Sequence, residues 1–411
     1  MSASAPSTPS TAQAVPVHKL GASPRHLLGI LSTWIFALLP ANLVPPIIGA
    51  LVDELGASLA LAGVVATSMT VANAVGVLSM RGIVSRGHRT LVARIGVGIL
   101  LVAFGAAAIM PTAVVVMVAL VIGGLGSGIV IAAATSAVAG VQDPDRATTT
   151  VITVNRLILA LSFLLLPYLG GGIQAIMVLL LSVGVVAFLG TAWLTSTTGE
   201  PLVVDGHETM PDVTEVPGSR ALAWALAIGF AVWTVSEEGV YGVMSILMAN
   251  NLPLLDEAGV YRLLAAGVIG GLVGALASPL VHRAFGRTGG LALVFAVSIA
   301  AKLTMMVVHN DFAYLVASVG WGVMFGCSIP LVFGMAAKLS RSGSANVLVN
   351  GIYIVGVAAG PLVATQVLDL AGIPGLAVTM TVIGVLAAVT IVITAHRARP
   401  VIEQVRSAAA R

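Results

Sequence analysis

The sequence predicts an all-α polytopic membrane protein with 12 transmembrane helices in two pseudo-symmetric six-helix bundles. Three observations predict it. First, 58% of the 411 residues are apolar and only 9% are charged, against about 25% charged in a soluble domain. Mean hydropathy is +1.07. Nineteen Lys+Arg and sixteen Asp+Glu cannot coat a water-soluble globule of this size, which excludes a soluble enzyme. Second, the apolar runs are long and unbroken, whereas the strands of a membrane barrel alternate apolar and polar residues. Third, the basic residues fall on one side of the predicted spans. The single Cys327 excludes a disulfide framework and a multi-cysteine metal site.

The elements follow in chain order. Residues 1–24 are rich in Ser, Ala, Thr and Pro without an apolar core. They read as a disordered cytoplasmic tail, not a cleavable signal. A crossing helix needs about 20 mainly apolar residues. Such runs lie at 26–51, 58–80, 91–110, 113–139, 150–170 and 174–196, then at 221–248, 258–280, 290–308, 313–337, 346–368 and 375–395. Between the sixth and seventh lies the longest polar stretch, 197–220, with Glu200, Asp205, Glu208, Asp212 and Glu215 among Pro201, Pro211 and Pro217. It separates an N-terminal bundle (25–196) from a C-terminal bundle (221–396). Residues 397–411 form a second cytoplasmic tail.

With the N-terminus inside, sixteen basic residues sit at or near the cytoplasmic face: Lys19, Arg25, Arg81, Arg86, Arg89, Arg94, Arg146, Arg220, Arg283, Arg287, Lys338, Arg341, Arg397, Arg399, Arg406 and Arg411. The outer loops carry acids only, including Asp53, Glu54, Asp256, Glu257, Asp311 and Asp369. Both termini are therefore expected in the cytoplasm, with the protein in the plasma (inner) membrane.

The halves repeat one another. Asp53-Glu54-Leu55-Gly56 after span 1 matches Asp256-Glu257-Ala258-Gly259 after span 7. Arg86-Gly87-His88-Arg89 after span 2 matches Phe285-Gly286-Arg287 after span 8. Pro167-Tyr168-Leu169-Gly170-Gly171 in span 5 parallels the Gly360-Pro361 segment in span 11. Repeated six-helix halves are a transporter signature.

On these features the chain resembles the major facilitator superfamily over essentially its whole length. The family's loop after span 2 reads Gly-x-x-x-Asp-Arg-x-Gly-Arg-Arg. Here Gly87 and Arg89 survive, while Val84 stands in the Asp position. The arginine many members carry in span 4 is absent, and the span reads Gly123-Gly124-Leu125-Gly126-Ser127-Gly128. Pro167, Gly170 and Gly171 look like the end of the family's antiporter motif, with Leu166 replacing the preceding glycine. That resemblance implies export. The physical reading of the same residues is a kinked helix whose small residues allow close contact. Gly360 and Pro361 belong to the same conformational set.

Charges inside a bilayer cost several kcal/mol unless paired or hydrated, which marks them as functional candidates. Glu237 and Glu238 in span 7 are the candidate proton-coupling pair, with Glu237 favoured because Glu238 abuts Gly239 nearer the aqueous end. Neighbouring residues differ by about 100° around a helix, so one faces the cavity and the other a neighbouring helix. The competing reading is an outer-gate ion pair with Arg262. Asn155 and Arg156 are expected about 9 Å into span 5. There Arg156 binds an anionic group, closes an inner gate or snorkels. Lys302 in span 9 turns inward or snorkels. The resemblance makes spans 1, 4, 7 and 10 line the cavity. The further substrate candidates are thus Trp34, Ser127, Trp233, Tyr241, Trp321 and Ser328, with Asn73, Asn350 and Tyr353 behind them. For each, helix packing is the competing role.

No Walker loop, metal-ligand cluster or Ser/His/Asp set appears, so neither an ATP-driven pump nor an enzyme is expected. Neither a cofactor nor a metal is expected, nor a nucleic-acid partner. The expected function is secondary active transport by alternating access in a monomer. Its leading form is proton-coupled efflux (antiport) of a hydrophobic or amphipathic small organic compound, because few polar groups are available to a cavity. The alternatives are proton-coupled import of a small organic anion and a non-transporting membrane sensor or partner on the same fold.

Overall fold

The computed structural model describes residues 24–84, 88–139, 144–194, 218–339 and 344–409. The expected N-terminal tail, nearly all of the linker, and Gly87 of the basic loop lie outside the described residues. Among those described there is no strand.

Helices α1 (Pro24–Asn42) and α2 (Val44–Asp53) together occupy the first predicted span and meet at a 44° bend. Pro45 and Pro46 explain the break. Neither offers an N–H to the preceding turn, and a proline ring clashes with the carbonyl four residues back. The next helices are α3 (Leu59–Val84), α4 (Arg89–Ile109), α5 (Ala113–Ala139), α6 (Pro144–Leu165) and α7 (Gly172–Gly190). They are followed by α8 (Ser219–Gly242), α9 (Met244–Asn251), α10 (Glu257–Val307), α11 (Asp311–Leu339) and α12 (Ser344–Ala409). Nine helices among the described residues are long and apolar enough to cross a membrane, or ten if α1 and α2 form one bent span.

Two of them are too long for one crossing. At 1.5 Å per residue, the 51 residues of α10 and the 66 of α12 far exceed the roughly 30 Å hydrocarbon layer. Each is broken by one glycine with positive φ, Gly286 at 65° and Gly372 at 64°. The chain doubles back at both. Val281 lies against Gly290 across the first break, and α8 touches both arms of α12, Gly356 beside Ala231 and Ile391 beside Gly229. The left-handed backbone these turns need is readily available to glycine alone.

Small residues bring the helices together by the same rule in both halves. In α5, Gly124 and Gly128 face the carbonyls of Met69 and Asn73 in α3, and Gly76 faces the carbonyl of Leu125. In α11, Gly322 and Gly326 face the carbonyls of Gly267 and Gly271 in α10, and Gly274 faces that of Val323. Every position in the second set lies 198 residues after its counterpart in the first. The internal repeat noticed in the sequence is therefore a repeat of backbone-to-backbone contacts.

The buried apolar side chains show where the halves join. One cluster draws on both halves, with Phe36, Leu43, Ile47 and Phe163 beside Val240, Met244, Tyr261 and Leu264. It lies toward the end that carries Asp53, Glu54, Asp256 and Glu257, called here the acidic end. Toward the opposite end the core divides. Ile30, Val92, Ala133 and Leu194 form a cluster within the first half. Phe230, Trp233, Phe295 and Val332 belong to another within the second. Polar contacts follow the same division. Thr67 donates to the Ala358 carbonyl at 2.8 Å, the Tyr241 hydroxyl to the Asn42 carbonyl at 2.6 Å, and the Gly172 N–H to the Glu257 carboxylate at 3.2 Å. All three cross between halves near or above mid-depth on the acidic side.

Candidate functional site

The two span-7 acids sit on α8 and part company. Glu237 is fully buried. It pairs with Lys302 Nζ at 2.7 Å and accepts from the Ser298 hydroxyl at 3.1 Å and the Trp321 indole N–H at 2.5 Å. Lys302 also donates to Ser236 Oγ at 2.6 Å and lies 4.6 Å from the centre of the Trp233 ring. Ser236 in turn donates to the Met380 carbonyl at 2.8 Å. This network joins α8, α10, α11 and α12 within the second half. Each formal charge has its partner, as a dry interior demands.

Glu238 points the other way and is half-buried. It makes no hydrogen bond or ion pair among the described residues. Its charged neighbours are Arg156 of α6 and Glu237 behind it. Tyr241 and Tyr353 complete the group, each within electrostatic reach of both Arg156 and Glu238. Arg156 is also half-buried and, among the described residues, has no hydrogen bond and no carboxylate at ion-pair distance. Beside it Asn155 is 5% exposed and accepts from Asn42 Nδ2 at 3.0 Å, while its own amide N–H₂ finds no acceptor. Tyr241 stacks on Trp321 with centroids 6.0 Å apart, and Tyr353 stacks on Phe230 at 5.2 Å. A cation, an acid, two phenols and an amide thus meet where α6 of one half faces α8 and α12 of the other.

Several expectations are corrected. Glu237 is the helix-facing acid and Glu238 the central one, the reverse of the preference drawn from sequence distance to water. Arg262 does not pair with either. It bonds Asp256 at 3.1 Å with both side chains about two-thirds exposed, 65% and 68%, so it belongs to the surface. Arg156 lies close to its expected depth: α6 begins at Pro144, but its membrane-spanning part begins at Thr149. Seven residues from Thr149 place it about 10 Å into that span. Pro167, Gly170 and Gly171 do not kink a span. They end it: α6 tightens to a 3₁₀ turn at Leu166–Leu169, and Gly170 (φ 97°) and Gly171 (φ 62°) carry the chain into α7. Left-handed glycines after the last turn are a usual helix stop.

The remaining candidates scatter. Trp233 is sealed in the second-half core against Phe295 at 4.3 Å. Ser328 is buried and donates to the Phe325 carbonyl of its own helix. Trp321 holds Glu237 and backs Tyr241. Ser127 is buried with no partner for its hydroxyl, and Trp34 packs on the first-half cluster. Arg89 is buried and donates to Ser136 Oγ at 2.9 Å, tying α4 to α5. Gly360 and Pro361 lie against Glu238, Gly239 and Gly242, where a side chain at Gly360 would overlap α8.

Sequence reasoning missed the partners Ser236 and Ser298, and also the use of Glu54 and Glu257. Glu54 accepts the Ile173 N–H at 3.0 Å and Glu257 that of Gly172, so both cap the start of α7. The paired Asp-Glu loops were the available signal. They border a cleft of about 590 Å³ lined by Asp53, Glu54, Gly170, Gly171, Gln174 and Glu257. Because Glu257 comes from the opposite half, Glu257→Ala should loosen the closed acidic end. With Cys327→Ala and a reporter Ala62→Cys in the seal, a membrane-impermeant maleimide should label several-fold faster. Unchanged labelling would remove Glu257 from the closure.

The profile of the Major Facilitator Superfamily matches residues 30–341. No curated protein matches the sequence. Among solved structures, the nucleoside transporter NupG is similar at 14% identity, with a TM-score of 0.67, covering 90% of this chain and 98% of that one. The human organic anion transporter MFSD10 (TETRAN) is similar at 15% identity, with a TM-score of 0.58, covering 90% of this chain and 100% of that one. At such identity these likenesses speak for the fold. With a profile match over three quarters of its length and that fold, the chain is a membrane transporter rather than an enzyme and belongs to the major facilitator superfamily.

Proposed function

We propose that the protein is a proton-coupled secondary transporter of a small organic solute. It works as a monomer by alternating access between bundles 25–196 and 221–396, each of six spans. Twelve crossings follow when each arm of α10 and α12 is counted separately. The basic loops then lie in the cytoplasm with both termini, and the host is the plasma membrane. A core continuous at the acidic end and divided at the other is the form expected of an inward-open carrier.

The observation that carries this reading is the position of Glu238. It is the one intramembrane acid without a hydrogen-bonded counter-ion among the described residues, and it lies at the junction of the halves. A carboxyl in such a place can take up and release a proton as water reaches it from alternate sides. Glu237 is held by Lys302 and serves the architecture.

The test is pH-gradient-driven movement of solute in proteoliposomes across a broad compound panel. Glu238→Gln should abolish the response to the gradient, a loss of tenfold or more, while counterflow exchange at equal pH continues. Glu237→Gln, where still folded, should keep the response. Full coupling in Glu238→Gln would overturn the assignment. A chain that moves no compound in the panel would favour the non-transporting sensor. The sign of solute movement under an inward proton gradient separates exchange-driven efflux from cotransport.

A further inference from the structure

The donors at the centre outnumber their acceptors. Arg156 brings a guanidinium with five N–H groups and no bonded acceptor among the described residues. Its sequence neighbour Asn155 has a buried amide N–H₂ with no acceptor among the described residues. An unpaired buried donor is costly, and a cation inside a bilayer more so. Asn155 is joined to the group through Asn42, which donates to its Oδ1 and accepts from the Tyr241 hydroxyl. Glu238, which lies in the field of Arg156, stays beyond ion-pair distance. The other intramembrane cation, Lys302, is already neutralised by Glu237 and offers nothing to a ligand.

We propose that Asn155 and Arg156 form the carboxylate subsite of a transported aromatic monoacid, and that this anion binds together with a proton on Glu238. The inference rests on the transport reading above and names its solute. A guanidinium donates to both oxygens of a carboxylate in bidentate fashion, and the Asn155 amide N–H₂ supplies a further donor. Tyr241 and Tyr353 stand near both charges as ring walls, Tyr241 backed by Trp321 and Tyr353 by Phe230. Each ring offers a face on which a flat aromatic solute can pack. A sugar-like solute would instead need several hydroxyl partners, which this group does not offer.

The charges link the two ligands. The groups facing Glu238 are Arg156 from α6, Glu237 and Tyr241 from α8, and Tyr353 from α12. Ionised, Glu238 repels an incoming carboxylate and occupies the field of Arg156. Protonated, it leaves Arg156 free. Anion binding therefore strengthens as Glu238 is protonated, and by reciprocity the bound anion strengthens proton binding. Solute and proton cross together, the cotransport alternative rather than exchange.

Ligand binding raises the melting temperature of the state that binds. The test is thermal stabilisation of the purified full chain in detergent by benzoate, phenylacetate and indole acetate, each beside its neutral carboxamide, at pH 6 and pH 8. The carboxylates should stabilise and the amides should not. Apparent affinity should fall about tenfold from the lower pH to the higher. Arg156→Gln should lose the response. Glu238→Gln should keep it and bind equally at both pH values, a result that a merely structural Glu238 would not produce. Amides matching the acids, unchanged binding in Arg156→Gln, or no stabilisation by any of the three acids would each overturn the proposal. Proton coupling of some other solute in proteoliposomes would then leave the transport reading standing without this one.

Discussion

Lys302→Met should destabilise the folded protein by about 3–5 kcal/mol, the usual cost of leaving a buried charge without its partner. Glu237 would remain at zero exposure with only the Ser298 hydroxyl and the Trp321 indole as donors. Ser236 would lose the donor at 2.6 Å, and Trp233 the cation over its ring. Adding Glu237→Gln to Lys302→Met should recover much of the loss. The amide still accepts from Trp321 and Ser298, and no formal charge is left behind. The measurement is a double-mutant cycle on thermal unfolding in detergent, where coupled residues give interaction energies of about 0.5–3 kcal/mol. Additive losses would show that the pair is not a unit. The same variants separate architecture from transport, because the double variant should still respond to a pH gradient through Glu238.

The second large effect concerns helix approach. Gly128→Val and Gly326→Val should each sharply reduce the yield of folded, monodisperse protein. A side chain at Gly128 would meet the Asn73 carbonyl, and one at Gly326 the Gly271 carbonyl. Backbone cannot swing aside as a flexible side chain can. The cost should therefore reach or exceed the upper end of the roughly 1–3 kcal/mol typical of overpacking. Because the two positions are equivalents in the repeat, their losses should be similar. The controls are Gly98→Ala in α4 and Gly320→Ala in α11, with nothing within 4 Å of the added carbon. Both should be neutral or stabilising, since alanine is favoured over glycine in a helix by about 1 kcal/mol. Size-exclusion profiles and unfolding midpoints read the difference. Tolerance of valine at Gly128 and Gly326 would mean that the helices do not pack this closely.

The repeat was legible in the sequence at the Asp-Glu loops, yet its physical content was not. Asp53-Glu54 and Asp256-Glu257 look like copies. In the structure, Glu54 caps α7 from its own half and Glu257 caps the same helix from the other. A pattern of letters cannot distinguish a contact within a half from one that closes the molecule. The span-5 glycines show a related limit. Pro167-x-x-Gly170-Gly171 is compatible with a kink or a stop. Positive φ at three successive glycines, Gly170 to Gly172, decides for the stop.

The sequence by itself determined the helical membrane class, because 9% charge cannot cover a soluble surface. It also reduced the candidate charges to Glu237, Glu238, Arg156, Arg262 and Lys302. Only the tertiary structure decided their surroundings. Adjacent residues on a helix point about 100° apart, so one acid had to face a neighbour and the other the junction. Which did so depends on the rotation of α8 about its axis. Trp233 against Phe295, Gly239 against Gly360 and Lys302 reaching from α10 set that rotation. These contacts join residues up to 121 positions apart, and no local pattern encodes them. The neighbours of Arg156 likewise depended on how α6, packed on α10, turns toward α8 and α12 across the two halves.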